Sequence, residues 1–187
     1  MPWEKVQLFW VDEHCCGPSE GMRKNFKLAA DTFLPKINIP VENIHNIFEG
    51  CHGGDCRDIA HQYENDIRNT FNLEPGQIPE FDLIVLGMGA DGHTGSLFPN
   101  SYAPLEKTEL VTTVYFTDNK SNRITFTHPV LCAASRLIIL VSGQDKAQTL
   151  REVLKGEPDE IRYPIHLLWP VLDKVTWLVD RNAAELL

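Results

Sequence analysis

Three short apolar runs constrain the fold of this chain more than any other feature: "KVQLFWV" (residues 5–11), "FDLIVLG" (81–87) and "RLIILVS" (136–142). A strand with one wet face alternates apolar and polar residues. A strand covered on both faces, as in a parallel sheet packed between helices, is apolar almost throughout. Stretches 111–116, 122–127 and 174–180 read as further strands, and 43–48 as a shorter one. Helices are expected between them, at 22–34 (stopped by Pro35), 55–71 (Ile59, Tyr63 and Ile67 at four-residue spacing) and 143–154 (stopped near Gly156). Strand and helix alternating in this way predict a doubly wound α/β fold with a mainly parallel sheet. Residues 1–187 show no internal repeat or linker and are expected to form one domain.

Charge narrows the range of partners. A formal net charge of −9 over 187 residues argues against a phosphate-backbone binder, which needs a basic face. A small anionic substrate remains compatible, since a few local cations serve one phosphate. No apolar run approaches the roughly 20 residues that cross a bilayer, and no signal-peptide pattern is visible. Cys15, Cys16, Cys51, Cys56 and Cys132 are odd in number and lack framework spacing. They predict a reducing, cytoplasmic setting with Cys15-Cys16 as inert packing.

The stretch "IVLGMGADGHTGSLFPN" (84–100) concentrates the chemistry. Gly87, Gly89 and Gly92 spell a dinucleotide fingerprint, but only about a turn and a half separates Gly92 from Pro99, too little for the crossover helix that fingerprint requires. The alternative is a reactive turn. A parallel strand ending at Gly87 delivers the next residues to the carboxyl edge of the sheet, where α/β ligands bind. Glycines there allow backbone N–H groups to approach an anion. His93 can take a proton near neutral pH, and Asp91 can orient it. On spacing alone, a plain turn with His93 opening a helix explains the pattern equally well.

The wider string removes that ambiguity. "GMGADGHTGSLFP" resembles the signature of the 6-phosphogluconolactonase family, "VQLFWVDEH" its strand ending in Asp-Glu-Arg, and Asn25-Phe26 its Ser-Asn-Tyr segment. "NRITFTHPVLCAA", "LVSGQDKAQTLREVLKG" and "VTWLVDRNAA" resemble three later segments, in the same order. The resemblance implies hydrolysis of 6-phospho-D-glucono-1,5-lactone in the oxidative pentose phosphate pathway, with no metal or organic cofactor. The implied partner is a phosphorylated sugar lactone, with neither nucleic acid nor membrane. It implies His93 as general base and Asp91 as its support, with Gly89, Gly92, His14, Arg123 and Lys146 against the substrate. Arg123 and Lys146 are the implied grip on the phosphate. His14 stands where the family carries arginine, trading a permanent planar cation for a group mostly neutral above its pKa.

Glucosamine-6-phosphate deaminases, which the resemblance implies share this fold, are the alternative enzyme class. They carry Asp-Gly-His-Ile-Ala-Phe-Asn-Glu-Pro where this chain has Asp91-Gly92-His93-Thr94-Gly95-Ser96-Leu97-Phe98-Pro99. A weakly active fragment is the third reading, because family members begin with further α/β structure carrying a Ser/Gly-rich phosphate loop. The expectation is therefore an upstream coding extension of at least one βαβ unit. His45, Cys51, His52, Cys56 and His61 cluster in sequence but follow no zinc spacing.

Overall fold

The computed structural model describes residues 1–15, 25–47, 55–116 and 121–187. Strand β1 (Leu8–Phe9) is followed almost at once by β2 (Asp12–His14), so the run over 5–11 is not one continuous strand. The cause is Tyr63. Its hydroxyl accepts the Trp10 N–H at 2.8 Å and donates to the Trp10 carbonyl at 3.0 Å, taking both backbone groups out of any ladder. Val11 then turns toward a different partner, its carbonyl accepting the Phe126 N–H at 2.8 Å.

Next come α1 (Asn25–Thr32), β3 (Ile44–His45) and α2 (Cys56–Thr70). Residues 22–24 of the expected first helix lie outside the described residues. Asp55 caps α2 by accepting the Arg57 N–H at 3.2 Å. The stripe of Ile59, Tyr63 and Ile67 is buried as its spacing predicts. Then follow β4 (Ile84–Gly87), β5 (Val111–Val114), β6 (Arg123–Phe126), α3 (His128–Ala133), β7 (Leu137–Val141), α4 (Ala147–Lys155) and β8 (Val175–Val179). α3 is too short for apolar periodicity to reveal.

Among the described residues the strands form three groups. β1 pairs with β3, and β4, β7 and β8 form a three-stranded sheet, all of these pairings parallel. β2, β6 and β5 form an antiparallel sheet. The apolar runs supply most of the parallel pairs; the more polar segments around Thr112, Thr113 and Arg123 supply the antiparallel ones, in line with the strand types that tolerate a wetter face. One expectation fails. The central parallel strands are covered on one face only: Ile84, Leu86, Leu137, Ile139 and Val141 are buried, whereas Val85, Leu140 and Leu178 are about half exposed. Among the described residues no helix is long and apolar enough to cross a membrane.

Cys15, just past β2, and Cys56, opening α2, form a disulfide across a sequence separation of 41, with Cα atoms 5.8 Å apart. This corrects the reading of Cys15 as an inert thiol and removes the cysteine count as an argument for a reducing compartment. Sequence spacing could not disclose the pair, because tertiary packing brings the two ends together. Closing a loop of that length is worth about 2–4 kcal/mol in the chain-entropy account. Cys56→Ser is therefore expected to lower Tm by roughly 5–15 °C, measured by calorimetry under non-reducing conditions; an unchanged Tm would deny the bond any stabilising role. Three other members of the zinc-like cluster are engaged or lie outside the described residues. His45 bonds Asp66 and Gln7, each at 2.7 Å, and Cys51 and His52 lie outside the described residues.

Candidate active site

β4 ends at Gly87, and the chain turns through residues 88–93 before passing into a tight bend at 94–97. Each bend of this turn is fastened. The Gly89 N–H donates to the His93 carbonyl at 2.9 Å, and the Gly92 N–H to the Gly89 carbonyl at 3.0 Å. The Thr94 hydroxyl donates back to the Gly87 carbonyl at 2.9 Å. Two outside elements hold the turn as well. Thr149 on α4 donates to the Ala90 carbonyl at 2.6 Å, and the Ile165 N–H to the Gly92 carbonyl at 3.0 Å. Gly92 has φ +77°, and a Cβ there would meet Tyr163 Cδ1 at 2.6 Å. Both the left-handed backbone and the close ring require glycine.

The turn brings His93 Nδ1 to 2.5 Å from Asp91 Oδ1, and the Phe98 ring backs the imidazole at a centroid distance of 4.3 Å. The hydrogen bond from His93 is the largest influence on Asp91 and holds its carboxyl below the usual range. Asp91 is thus anionic at neutral pH and favours the imidazole tautomer protonated on Nδ1, which leaves Nε2 with its lone pair. The arrangement can abstract a proton from water.

His93 faces a cavity of about 290 Å³ lined also by Asp12, Asn25, Gly89 and Arg123. Of the residues the sequence singled out, this brings together His93, Gly89 and Arg123. Gly92 and Asp91 stand behind the turn. His14 lies opposite Arg123 in the β2–β6 register and does not line the cavity. Lys146 sits in the short turn before α4, ion-paired with Asp145 and also off the cavity. The Gly89, Gly92 and His93 N–H groups are bonded within the turn. The cationic side of the cavity is therefore Arg123, whose Nε is buried without a hydrogen-bond partner among the described residues. Burial lowers the pKa of its guanidinium somewhat, against the pull of Asp12 and Glu13.

Sequence reading missed Asp12 and Asn25 as site residues. Asp12 Oδ2 accepts the Ser96 hydroxyl at 2.8 Å and lies 3.9 Å from Arg123 Nη1. Asn25 Nδ2 donates to the Asp12 carbonyl oxygen at 2.8 Å. Burial raises the Asp12 carboxyl, with Ser96 and Arg123 opposing. Its neighbour Glu13 is wholly buried; its carboxylate accepts the His14, Asn25 and Phe26 N–H groups at 2.8–3.0 Å and so fixes the start of α1. The available signal was position: Asp12 directly follows the apolar run over 5–11, as the reactive turn follows the one over 81–87.

A fastened turn at the carboxyl end of a parallel strand, with an aspartate-oriented imidazole facing a cation, defines an α/β protein with a candidate ligand site where such folds place one. Comparison with known proteins supplies the particular family. The chain belongs to the family described as glucosamine-6-phosphate isomerases/6-phosphogluconolactonase, whose profile matches residues 1–177. It is 36% identical to the 6-phosphogluconolactonase of Synechocystis sp. over 187 residues, covering 99% of this chain and 75% of that one. The probable 6-phosphogluconolactonase 4 of Arabidopsis thaliana is 37% identical over 196 residues, covering 99% and 72%. The solved 6-phosphogluconolactonase from Trypanosoma cruzi superposes with a TM-score of 0.80 at 27% identity, covering 96% of this chain and 72% of that one.

Proposed function

We propose that this chain, acting as a single α/β domain, hydrolyses 6-phospho-D-glucono-1,5-lactone to 6-phospho-D-gluconate in the oxidative pentose phosphate pathway. The observation that carries the reading is the Asp91–His93 pair, held at 2.5 Å against a cavity that also contains Arg123. It is supported by relatives that are themselves 6-phosphogluconolactonases. His93 Nε2 takes a proton from water as the water oxygen attacks the lactone carbonyl carbon. Asp91 stabilises the imidazolium that forms. The tetrahedral intermediate then collapses, the ring C–O bond breaks, and the departing oxygen recovers the proton from His93. The product acid ionises to the carboxylate.

Arg123 is the group placed to hold an anionic part of the substrate. Lys146 would contribute at longer range from its turn before α4, and His14 by supporting the strand opposite Arg123. Gly89 gives the substrate room beside the imidazole, and Gly92 sets the turn. The chemistry needs no metal or organic cofactor, and neither nucleic acid nor a membrane enters it. A cytoplasmic setting is proposed from the sugar-phosphate chemistry of the relatives.

The test is hydrolysis of the freshly generated 6-phospho-lactone by the purified chain, followed by proton release, against the unphosphorylated lactone. A clear preference in kcat/KM for the phosphorylated substrate is expected. Equal rates on both, or no rate above spontaneous hydrolysis, would overturn the assignment.

A further inference from the structure

Two carbonyls of the turn that carries Asp91 and His93 find their partners outside it. The Ala90 carbonyl accepts the Thr149 hydroxyl at 2.6 Å, and the Gly92 carbonyl accepts the Ile165 N–H at 3.0 Å. These carbonyls belong to the peptide units that lead into Asp91 and into His93. A peptide unit is planar, so fixing its oxygen fixes the direction in which the next residue leaves. The unit between them is fixed within the turn, where the Gly92 N–H donates to the Gly89 carbonyl at 3.0 Å. Successive planes from Ala90 to His93 are therefore all held. With them are held the Cα–Cβ bonds from which the carboxylate and the imidazole reach each other.

Both outside donors belong to one packed unit, made of α4 and the segment 159–166. His166, wholly buried, is one joint of that unit. Its Nδ1 accepts the Asp159 N–H at 2.8 Å, so Nε2 carries the proton and donates to the Val153 carbonyl of α4 at 3.0 Å. Tyr163 is the other joint. Its hydroxyl donates to Glu152 on α4, and that bond is the largest influence holding the Glu152 carboxyl below its usual range. Glu152 is thus an anionic acceptor at neutral pH, and Arg162 Nη2 pairs with it at 2.7 Å. The Tyr163 ring in turn lies against Gly92, where an added Cβ would meet it at 2.6 Å. Ala147, Leu150 and Val153 are the buried stripe of α4; Thr149 and Glu152, three residues apart, lie outside it on a neighbouring face. A helical threonine often turns its hydroxyl onto a carbonyl three or four residues back. Thr149 instead reaches Ala90, 59 residues away in sequence.

We propose that Thr149 and Tyr163 are positioning residues of the Asp91–His93 pair, bracing the turn so that His93 Nδ1 stays on Asp91 and Nε2 stays ready to take a proton. Neither lines the cavity. Thr149 acts through the peptide plane that leads into Asp91, and Tyr163 through Gly92 and through the joint that holds Ile165 beside it. A slack turn would let the imidazole rotate off the carboxylate, and the tautomer would then no longer be set by Asp91. Only the kinetic part of the inference rests on His93 as general base of the lactone hydrolysis. Its structural part, a single imidazole tautomer maintained by a remote hydroxyl and a remote ring, is independent of the reaction.

The test compares Thr149→Val, Thr149→Ser and Tyr163→Phe with the parent. Valine keeps the outline of threonine without its hydroxyl, and serine keeps the hydroxyl. Phenylalanine keeps the ring against Gly92 and loses the joint to Glu152. Imidazole nitrogen shifts in NMR read the tautomer of His93, whose signals are assigned by their loss in His93→Asn. The parent and Thr149→Ser are expected to show the Nδ1-protonated form, and Thr149→Val and Tyr163→Phe a mixture of both tautomers. On the 6-phospho-lactone, kcat is expected to fall about tenfold in Thr149→Val and Tyr163→Phe, part of the roughly 10²-fold that a full 1 Å displacement costs. KM should stay unchanged, and Thr149→Ser should restore most of the loss. Parent-like imidazole spectra in both Thr149→Val and Tyr163→Phe would overturn the proposal. So would mixed tautomers in the parent itself, since no orientation would then exist to be held. A parent without lactone turnover, but with the expected change of tautomer in the variants, would remove the reaction assignment and support the brace.

Discussion

Replacing His93 with asparagine is expected to lower kcat on the 6-phospho-lactone by roughly 10²–10⁴, the span for a lost general base. Asparagine approximates the polar reach toward Asp91 but has no group that takes a proton from water. His93 is partly exposed and its backbone bonds run through N–H and carbonyl groups that the substitution keeps, so the circular dichroism spectrum and Tm should stay close to those of the parent. KM should change little, because on the proposed mechanism the imidazole acts on water and Arg123 holds the anionic part of the substrate. Undiminished kcat in the folded variant would remove His93 from the mechanism.

The second large effect is expected from a single methyl group. Gly89 has an ordinary backbone conformation, so alanine is not strained there. Its Cβ, however, would fall on the His93 ring and lie 2.6 Å from Asp91 Oδ1. Both side chains would have to move, and a displacement of about 1 Å at a reacting group costs on the order of 10²-fold. Gly89→Ala should therefore lose about as much kcat as that while Tm stays nearly constant. The double variant with His93→Asn distinguishes this account from a general disturbance of the turn. If Gly89→Ala acts through the imidazole, it should add almost nothing once His93 is gone. Multiplying losses would show that Gly89 serves some other part of the site.

The parallel strands were legible because residues 81–87 and 136–142 are apolar beyond what a one-faced strand allows, and α2 because Ile59, Tyr63 and Ile67 mark one side of a helix. The turn carrying the candidate site was legible as a motif, since strand, glycines and histidine are consecutive. What sequence could not disclose depends on groups that meet only after folding. Trp10 leaves its strand because a tyrosine hydroxyl from α2 takes its backbone. Cys15 finds Cys56 through packing, and Asp12 becomes a site residue by bonding Ser96. Lys146 shows the opposite case: its position matches a family pattern, yet its ammonium pairs with Asp145 and the cavity forms without it. The bare sheet face could not be foreseen either, since an apolar run carries no information about which of its two sides the rest of the chain covers.

The fastening of the turn that carries the candidate site also ties it to distant parts of the chain. Asp12 and Ser96 are 84 residues apart in the chain, and Thr149 lies 59 residues beyond the Ala90 carbonyl it holds. Contacts of such long range close late, because the loop entropy must be lost before they return any stabilisation. Local structure such as α2 and α4 can gather around its own apolar stripe, but the turn is fastened from outside only when β2 and α4 have both been brought to it. A site fastened by contacts of such long sequence separation is therefore tied to the closing of the whole domain and not to any one helix or strand.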